Sequence, residues 1–527
     1  MLLKKKKLLI KSLIIIGISL YAYLINWNTG NIGVLPIDTF GFLESGNSIL
    51  KGSIPIRDFW IFTGIVLDYI QALFILMFGN NWNSYVAHAS FINILATLCV
   101  FFFLEEIGLD RKYTVLYCLS FATLCYPVIG TPFAYIHSYI FSLLSVLNFI
   151  LAIKKRSNLL WFIFPFVCLL SFFSMQTPSA YILSVLFCFL IYYFWKHKNY
   201  KNFNYFLSGC ISSTLLLLIF FYYNKISFNN FIYQYILFPL TIGEGRLSSN
   251  ELAYVSLLDQ LNFKRIFGDF KFIHFFLFPL TYLTFKNFFK KKEENNNLLN
   301  LLIIFCVILF IFNQLLTANQ IYIFSLIPIT ASILHFNLTE YNINKKFFYL
   351  IILIVIISTI KFHHRFNIER KFLDLENVNK NSAIKAELYN KNFNKLKWIS
   401  RNEDPKKELD TIKFAIRTID KEKEQLMLLT HYQFVGTFLE KDVNIMNRWY
   451  LWDNNTHPTE KHKYFNQYKN FINKNLEKKN IKIIYLLGQE NEILFENINN
   501  YFPSLCFESK NLIDKRFSSH RIISCNN

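Results

Sequence analysis

The sequence has few charged residues for its length. Of its 527 residues, 17% are charged, whereas soluble domains average about 25%. The deficit comes from long apolar runs that contain almost no charge. Neither a Gly-rich phosphate loop nor a zinc-ligand spacing is present, so nothing in the sequence indicates a nucleotide-binding or zinc domain. A large soluble core is excluded as well, because its helices would need polar faces that these runs lack.

Eleven apolar runs are long enough to cross a membrane. Each has about 17–21 residues, which at 1.5 Å per residue spans a hydrocarbon core of roughly 30 Å. The runs are 8–27, 84–104, 113–130, 137–153, 158–175, 178–195, 203–223, 270–288, 298–315, 318–336 and 345–361. Residues 64–80 form a twelfth, ambiguous run that contains Asp68 and Gln71. The sequence therefore predicts an α-helical polytopic membrane protein with about 11 transmembrane helices plus juxtamembrane helices.

Positive charge predicts the orientation of these helices. The net charge of +20 comes largely from lysine clusters at the ends of runs, where charge sets topology, and does not indicate a nucleic-acid partner. The clusters are 4–7, 111–112, 154–156, 196–198 and 290–292. All of these clusters lie on the cytoplasmic side only if residues 64–80 do not cross the membrane. We therefore predict that 64–80 is an interfacial or re-entrant helix and that the N-terminus is cytoplasmic.

The chain changes character after residue 361. We predict a transmembrane domain over 1–361, with its first extracytoplasmic loop at 28–83, and an extracytoplasmic α/β domain over 362–527. In the tail, 425–430 and 481–487 have the pattern of buried strands, and 408–420 and 459–478 that of helices. Cys506 and Cys525 lie in this tail, where a disulfide and two free thiols are both open.

Carboxylates in the first loop stand out, because acids beside a membrane are costly unless they are solvated, paired or functional. The loop contains Asp38 and Phe40, then Gly52, the run Pro55-Ile56-Arg57-Asp58-Phe59, Gly64 and a helix that ends at Met77-Phe78-Gly79. This pattern resembles the first extracytoplasmic loop of GT-C glycosyltransferases. The resemblance is closest to families that use polyprenyl-phosphate sugars, including the protein mannosyltransferase-like (family 39-type) and lipid A aminoarabinose transferase-like groups.

The resemblance implies an inverting glycosyltransferase and a role for each candidate residue. Asp38 would be the catalytic base, with Asp58 as the nearby stand-in for a second acid. Arginine and lysine side chains would bind the donor phosphate, and other polar side chains would line the substrate cavity. The predicted phosphate-binding residues are Arg57, Arg246, Lys264 and Arg265, and the predicted cavity residues are Glu44, His137, Gln176 and Gln320. No cofactor is required by the pattern, and a divalent cation is compatible with it.

Each candidate also has a structural alternative. Asp38 could be the N-cap of a short surface helix, and Asp58 could pair with a neighbouring cation. The arginines and lysines could contact lipid headgroups at the membrane rim. His137, Gln176 and Gln320 could be helix-packing groups that hydrogen-bond to neighbours. The aromatic loop with Trp449, Trp452 and Asp453 could bind a sugar acceptor or pack the small domain at the rim.

The sequence thus favours an enzyme that transfers a sugar from a polyprenyl-phosphate donor to a cell-envelope lipid, a lipopolysaccharide or another glycan. It would work on the outer face of a bacterial inner membrane, with its C-terminal domain in the periplasm. One alternative is a polymerase or ligase of lipid-linked glycans. Another is a transporter or flippase, for which two related halves and charges deep in several runs are expected.

Overall fold

The computed structural model describes residues 2–247, 257–289, 294–318, 322–339, 345–401, 404–450, 454–489 and 498–525. These residues form twenty α-helices, which we number in chain order. The helices are α1 Leu2–Gly30, α2 Pro36–Thr39, α3 Gly41–Leu50, α4 Val66–Phe78, α5 Trp82–Ile107, α6 Arg111–Leu124, α7 Ala134–Lys155, α8 Asn158–Phe172, α9 Gln176–His197, α10 Tyr200–Tyr223, α11 Phe228–Phe231, α12 Phe238–Leu247, α13 Leu257–Gln260, α14 Lys271–Phe289, α15 Glu294–Leu316, α16 Leu326–Thr339, α17 Lys345–Phe362, α18 Pro405–Lys421, α19 Phe465–Lys478 and α20 Ile498–Tyr501.

The fold is that of a helical polytopic membrane protein with a small C-terminal sheet, as predicted. Each of the eleven predicted runs contains a helix. Among the described residues, seven helices are long and apolar enough to cross a membrane. These seven are Leu8–Gly30, Trp82–Ile107, Ala134–Lys155, Gln176–His197, Tyr200–Tyr223, Asn296–Leu316 and Lys346–Leu373. The ambiguous run 64–80 contains α4, which has 13 residues and is only about 20 Å long.

The chain divides into two units, each built from three separate segments. The helical unit comprises Met1–Gly30, Ala89–Leu217 and Ser256–Phe372. The sheet unit comprises Asn31–His88, Leu218–Val255 and Leu373–Asn527. This division differs from the predicted boundary at 361/362, because most of the first loop and residues 218–255 belong with the C-terminal tail.

Ion pairs join several helix ends within the helical unit. Glu105, near the end of α5, pairs with Lys11 of α1 at 2.6 Å and with Arg111 of α6 at 2.8 Å. Glu106 pairs with Lys155, in the last turn of α7, at 2.7 Å. These four helix ends therefore lie together, which is the arrangement that the predicted topology requires on its cytoplasmic side.

Serine side chains fill the contact between α7, α8 and α9. Ser138 and Ser142 of α7 lie 2.6 Å from Ser179 and Ser171, respectively, and Ser171 lies 2.7 Å from Ser179. All four are fully buried. Small hydroxyl residues allow helices to approach closely and satisfy one another's hydrogen bonds in an apolar environment.

In the sheet unit, the described residues form six strands in two sheets. The strands are β1 Ile384–Lys385, β2 Lys397–Trp398, β3 Leu426–Thr430, β4 Ile483–Leu487, β5 Cys506–Ile513 and β6 Phe517–Ile523. The larger sheet has the order β3-β4-β6-β5, with β3 and β4 parallel and the other pairs antiparallel. The buried strands β3 and β4 confirm the predictions for 425–430 and 481–487 within two residues at each end. Cys506 and Cys525 form a disulfide beside β5 and β6.

Amphipathic helices cover this sheet. α18 begins after Asp404, whose carboxylate accepts from the amides of Lys406 and Lys407 at 3.0 and 2.9 Å. Its buried residues include Leu409, Ile412, Ala415 and Ile419, which repeat at helical spacing. α18 and α19 confirm the two helices predicted for the tail.

All three segments contribute to one apolar core of the sheet unit. Trp60 comes from the first loop, Phe238 from α12, and Tyr468 and Phe471 from α19. The ring centroid of Trp60 lies 5.9 Å from that of Phe238 and 5.1 Å from that of Tyr468. Burial of these aromatic rings holds the segments together, because each ring removes a large apolar area from water.

Candidate functional site

Asp38 lies on a short turn that follows α1, which we call the Asp38 turn (residues 35–40). Its amide donates to the carbonyl of Leu35 at 2.9 Å, and the Thr39 hydroxyl accepts from the Leu35 amide at 2.8 Å. The Tyr85 hydroxyl donates to the carbonyl of Thr39 at 2.7 Å. Asp38 lies inside α2 and not at its N-cap, which is Leu35; the N-cap of α3 is Phe40. The N-cap alternative for Asp38 therefore does not match the structure.

Aromatic packing fixes the C-terminal end of this turn. Phe40 is fully buried, and its ring centroid lies 4.6 Å from that of Phe434, 5.7 Å from Trp398 and 5.8 Å from Trp82. Asp38 itself is half-buried. The backbone of the turn is thus held at its C-terminal end, next to the half-buried Asp38.

Glu44 is buried on α3 against the C-terminal tail. Its carboxylate accepts from the amide of Thr437 at 2.8 Å, and its own amide donates to the carbonyl of Gln433 at 3.0 Å. A Cβ at Gly436 would overlap the Glu44 carboxylate, so the two segments are in close contact. Burial raises the pKa of Glu44 to about 7, and nearby Lys51 and the Thr437 hydrogen bonds oppose this rise. Glu44 is 2% exposed, so its carboxylate faces the tail and not solvent.

Asp58 is buried in a group of hydrogen-bond donors. Its Oδ2 accepts from the Arg57 guanidinium at 2.6 and 2.9 Å and from the Ile54 amide at 2.8 Å. Its Oδ1 accepts from Lys478 at 3.1 Å, and Asn475 donates to its backbone carbonyl at 3.3 Å. Burial would raise the pKa of Asp58, but these hydrogen bonds and charges hold it below its usual value. Pairing of Asp58 with a neighbouring cation, the structural alternative, is confirmed.

The remaining donors of Arg57 are also engaged. Nη1 donates to the carbonyl of Asn224 at 3.0 Å, and Nη2 donates to that of Gly52 at 3.2 Å. Arg57 therefore joins two turns of the first loop to the end of α10. Binding of a phosphate by this guanidinium would require some of these bonds to break.

Asp68 and Arg448 form a buried ion pair that the sequence pattern does not predict. The two side chains are 0% and 1% exposed, and Arg448 Nη1 lies 2.9 Å from Asp68 Oδ2. The Ser45 hydroxyl also donates to Asp68. Burial raises the pKa of the Asp68 carboxyl, and the adjacent guanidinium opposes this rise. The available signal was one acid in the otherwise apolar α4, but nothing local indicates a partner in the tail.

The other predicted cations are divided between the two units. Arg246 is half-buried in the last turn of α12, in the sheet unit. Lys264 is exposed, and Arg265 pairs with Asp269 at 3.1 Å, both in the helical unit. These three predicted phosphate-binding residues therefore differ in burial and in ion pairing.

The predicted cavity residues of the helical unit are His137 and Gln176. His137 is fully buried, with Nδ1 2.7 Å from the Tyr126 hydroxyl, so a neighbour satisfies it as the structural alternative requires. Gln176 is half-buried at the start of α9. Gln320 lies outside the described residues.

Trp449 packs against the first loop. It is 7% exposed, its ring centroid lies 5.2 Å from that of Phe42, and a Cβ at Gly41 would overlap its indole. This contact fits a packing role for the aromatic loop. Trp452 and Asp453 of the same loop lie outside the described residues. Within the described part of the chain, no three His, Cys, Asp or Glu side chains are grouped as metal ligands.

Comparisons with known proteins place the chain near one group of solved structures. No family model and no curated protein matches the sequence. The backbone is similar to that of the archaeal oligosaccharyltransferase AglB from Archaeoglobus fulgidus in complex with an inhibitory peptide and a dolichol-phosphate, at 12% identity and a TM-score of 0.44, covering 90% of this chain and 69% of that one. For the apo form of the A. fulgidus oligosaccharyltransferase the identity is 10% and the TM-score 0.43, with coverage of 89% and 69%. For its complex with Zn and sulfate the values are 11% and 0.39, with coverage of 89% and 67%.

Proposed function

We propose that this chain is a membrane glycosyltransferase of the GT-C type. It transfers a sugar from a polyprenyl-phosphate donor to a lipid or glycan acceptor at the outer face of a bacterial inner membrane. The observation that carries the proposal is Asp38, a half-buried acid on a turn whose neighbours Thr39 and Phe40 are buried. A fixed backbone and an accessible carboxylate are what a general base needs.

In the proposed reaction, the Asp38 carboxylate accepts the proton of the acceptor hydroxyl. The hydroxyl oxygen attacks the anomeric carbon and forms the new glycosidic bond. The bond between the anomeric carbon and the phosphate oxygen breaks, and the polyprenyl phosphate leaves with the electron pair. Inversion at the anomeric carbon follows from this single displacement.

The leaving phosphate gains negative charge, which a cation must stabilise. We assign this role to Arg246, which suits phosphate because its planar guanidinium can donate to two oxygens. Arg57 is less suited because its donors already contact Asp58, Asn224 and Gly52. Arg265 is paired with Asp269. Asp58, with donors on both carboxylate oxygens, is assigned a structural role in the first loop.

An extracytoplasmic sheet unit is part of the proposal. The disulfide between Cys506 and Cys525 supports it, because disulfides form and persist in oxidising compartments. The short α4 supports the same topology: its polar residues Asp68 and Gln71 are buried within the protein and do not face lipid.

The proposal is tested with Asp38→Asn, which keeps the shape of the side chain but cannot accept a proton. The assay uses polyprenyl-phosphate [14C]hexoses, mannose and glucose among them, with an extract of envelope lipids and glycans as acceptors. Loss of a general base typically costs roughly 100- to 10,000-fold, so we expect a fall in kcat of that size. Membrane insertion and a monodisperse gel-filtration profile are checked for each variant.

Asp374→Asn is the matched control, because Asp374 is an exposed acid of the same unit that pairs with Arg401 at 2.7 Å. It should leave transfer unchanged. Undiminished transfer by Asp38→Asn would rule out the base assignment. Movement of labelled lipid without a new glycosidic bond would instead favour a flippase.

Arg246→Ala tests the phosphate assignment. Removing the guanidinium leaves the developing charge without its donor, so we expect kcat/KM for the donor to fall by about 10- to 1,000-fold. Arg246→Lys should recover part of the loss, since it keeps the charge but not the planar fork. Equal activity of wild type and Arg246→Ala would contradict this role.

A further inference from the structure

Arg448 connects the C-terminal tail to the first loop through buried contacts. Besides the ion pair with Asp68, its Nη1 donates to the carbonyl of Gly64 at 2.8 Å, and its Nη2 donates to that of Thr63 at 3.1 Å. The backbone of Arg448 is also bound, since its amide donates to the carbonyl of Trp60 at 3.1 Å. The guanidinium is therefore held in one orientation by acceptors of Thr63, Gly64 and Asp68, which lie close together in the sequence of the first loop.

The same group extends to the first turn of α3. Asp68 accepts from the Ser45 hydroxyl, and the Phe42 ring lies 5.0 Å from the Arg448 guanidinium. Trp449, the next residue in the tail, packs against Gly41 and Phe42. Gly41, Phe42 and Ser45 are thus in contact with Arg448, its partner Asp68 or its neighbour Trp449.

These contacts lie directly beside the Asp38 turn. The turn ends at Phe40, and α3 begins at Gly41, so Asp38 is three residues from the first of the contacted positions. Tyr85 also binds this end of the turn, through the carbonyl of Thr39. The orientation of α3 therefore sets the orientation of the Asp38 turn, which directly precedes it.

A fully buried ion pair is an expensive way to stabilise a fold. Desolvation of the two charges offsets most of their attraction, and apolar residues of similar volume would stabilise about as well. The pair instead fixes the relative orientation of the segments, because a guanidinium with three fixed acceptors allows one arrangement of the segments that provide them.

We propose that Arg448 and Asp68 are positioning residues for Asp38. Through Ser45 and Phe42 they fix the first turn of α3, and so they hold the carboxylate of Asp38 where it accepts the proton of the acceptor hydroxyl. Neither residue contacts substrate in this role. The inference rests on the proposed function, in which Asp38 is the base.

The first test is kinetic and uses Arg448→Lys. Lysine keeps the charge, but a single ammonium cannot reach Asp68, Gly64 and Thr63 together. A displacement of about 1 Å can cost on the order of 100-fold in rate, so we expect kcat to fall by about 10- to 100-fold with KM for the polyprenyl-phosphate [14C]hexose nearly unchanged. Arg521→Lys, the same substitution at a cation of β6 that pairs with Glu422 at 3.3 Å, is the control and should leave kcat unchanged.

The second arm repeats Arg448→Lys in an Asp38→Glu background. In that variant the carboxylate is already displaced by one methylene, so a further change in its position should cost less than about 3-fold. A residue that acts only on overall stability would reduce activity by the same factor in both backgrounds, because independent effects add in free energy. Equal losses would overturn the proposal.

The third arm needs no substrate and remains informative if Asp38→Asn proves fully active. Ile37, the half-buried neighbour of Asp38, is changed to cysteine in a Cys188→Ala background and labelled with a charged methanethiosulfonate reagent in detergent. We expect Arg448→Lys to change the labelling rate at least about 3-fold, and Arg521→Lys to leave it unchanged, at equal melting temperature. An unchanged rate would overturn the positioning role, whereas full activity of Asp38→Asn would overturn only the proposed function.

Discussion

The carboxylates of the first loop lie in four different environments. Asp38 is half-accessible, Glu44 is buried against the tail, Asp58 is surrounded by donors, and Asp68 is paired with Arg448. A general base must exchange its proton with a substrate, so solvent access matters more than the presence of the charge. Of these four acids, Asp38 is therefore the one whose surroundings suit a base.

Glu44 should make the stability of the protein depend on pH. Its pKa is raised to about 7 by burial, so between pH 4.5 and 7 the folded chain retains a proton that the unfolded chain has lost. The stabilising contribution is fully present below pH 4.5 and is lost as the pH rises through 7. We expect the free energy of unfolding to fall by up to about 3 kcal/mol between pH 5 and 8.

Glu44→Gln provides the comparison for this prediction, because a neutral amide can still accept from Thr437. Unfolding of both proteins in detergent at several pH values gives the two slopes. We expect a shallower slope for the variant over this range. Equal slopes would show that another group is responsible, with Lys51 and Asp442 the nearest charges to examine.

At the scale of single residues, the sequence predicts the ion-pair partners of some carboxylates and not of others. The pairing of Asp58 with Arg57 was foreseeable, because the two residues are adjacent. The pairing of Asp68 with Arg448 was not, because a separation of 380 residues leaves no local pattern to read. The acids could be predicted, but their burial could not, since the residues that cover them come from the tail.

Among the elements, α4 shows how helix length and the charge pattern of the chain together indicate whether an apolar helix crosses the membrane. Its composition alone fits a membrane span, yet it has 13 residues, with Asp68 and Gln71 buried and Leu76 and Met77 exposed. The charge pattern of the whole chain had already predicted that it does not cross. Strands β3 and β4 were predictable because they are continuously apolar, whereas the exposed, polar β5 was not.

The hairpin of β5 and β6 should depend on its disulfide. β5 is an edge strand whose residues are mostly exposed, so little apolar burial stabilises it. A cross-link over 19 residues contributes about 3 kcal/mol in the chain-entropy account. We expect Cys506→Ser to lower the melting temperature and to make the hairpin sensitive to limited proteolysis.

Cys188→Ala is the control for this experiment, because Cys188 is a free thiol in α9 and should not affect the hairpin. Reduction of the wild type should reproduce the effect of Cys506→Ser and should add nothing in the variant. Identical digestion patterns before and after reduction would contradict the prediction.

For the whole molecule, the units are assembled from alternating stretches of chain. The predicted boundary at 361/362 followed the change in composition, whereas the sheet unit also takes in Asn31–His88 and Leu218–Val255. Periodicity reports the elements and which of their faces are apolar, but it does not report which loop packs on which sheet. The packing of Trp60 and Phe238 in one core with α19 is an example of a contact that periodicity does not report.

The orientation in the membrane can be tested with two exposed positions, changed to cysteine one at a time. Lys201 is an exposed residue in the first turn of α10, and Leu388 lies in the sheet unit with 71% exposure. An impermeant thiol reagent added to intact cells should label Leu388→Cys but not Lys201→Cys. Inside-out vesicles should give the opposite result, and labelling of Lys201→Cys in intact cells would reverse the predicted topology.

The 380 residues between Asp68 and Arg448 also have a consequence for the order in which the protein is made. At about 5–20 residues per second, Arg448 is synthesised roughly 20–75 s after Asp68. Throughout that interval the first loop exists without the tail residues that cover Glu44 and Asp68 in the finished protein. A chain that is interrupted late in translation would therefore contain the Asp38 turn but not the contacts proposed to orient it, so that the proposed sugar transfer would be restricted to completed copies.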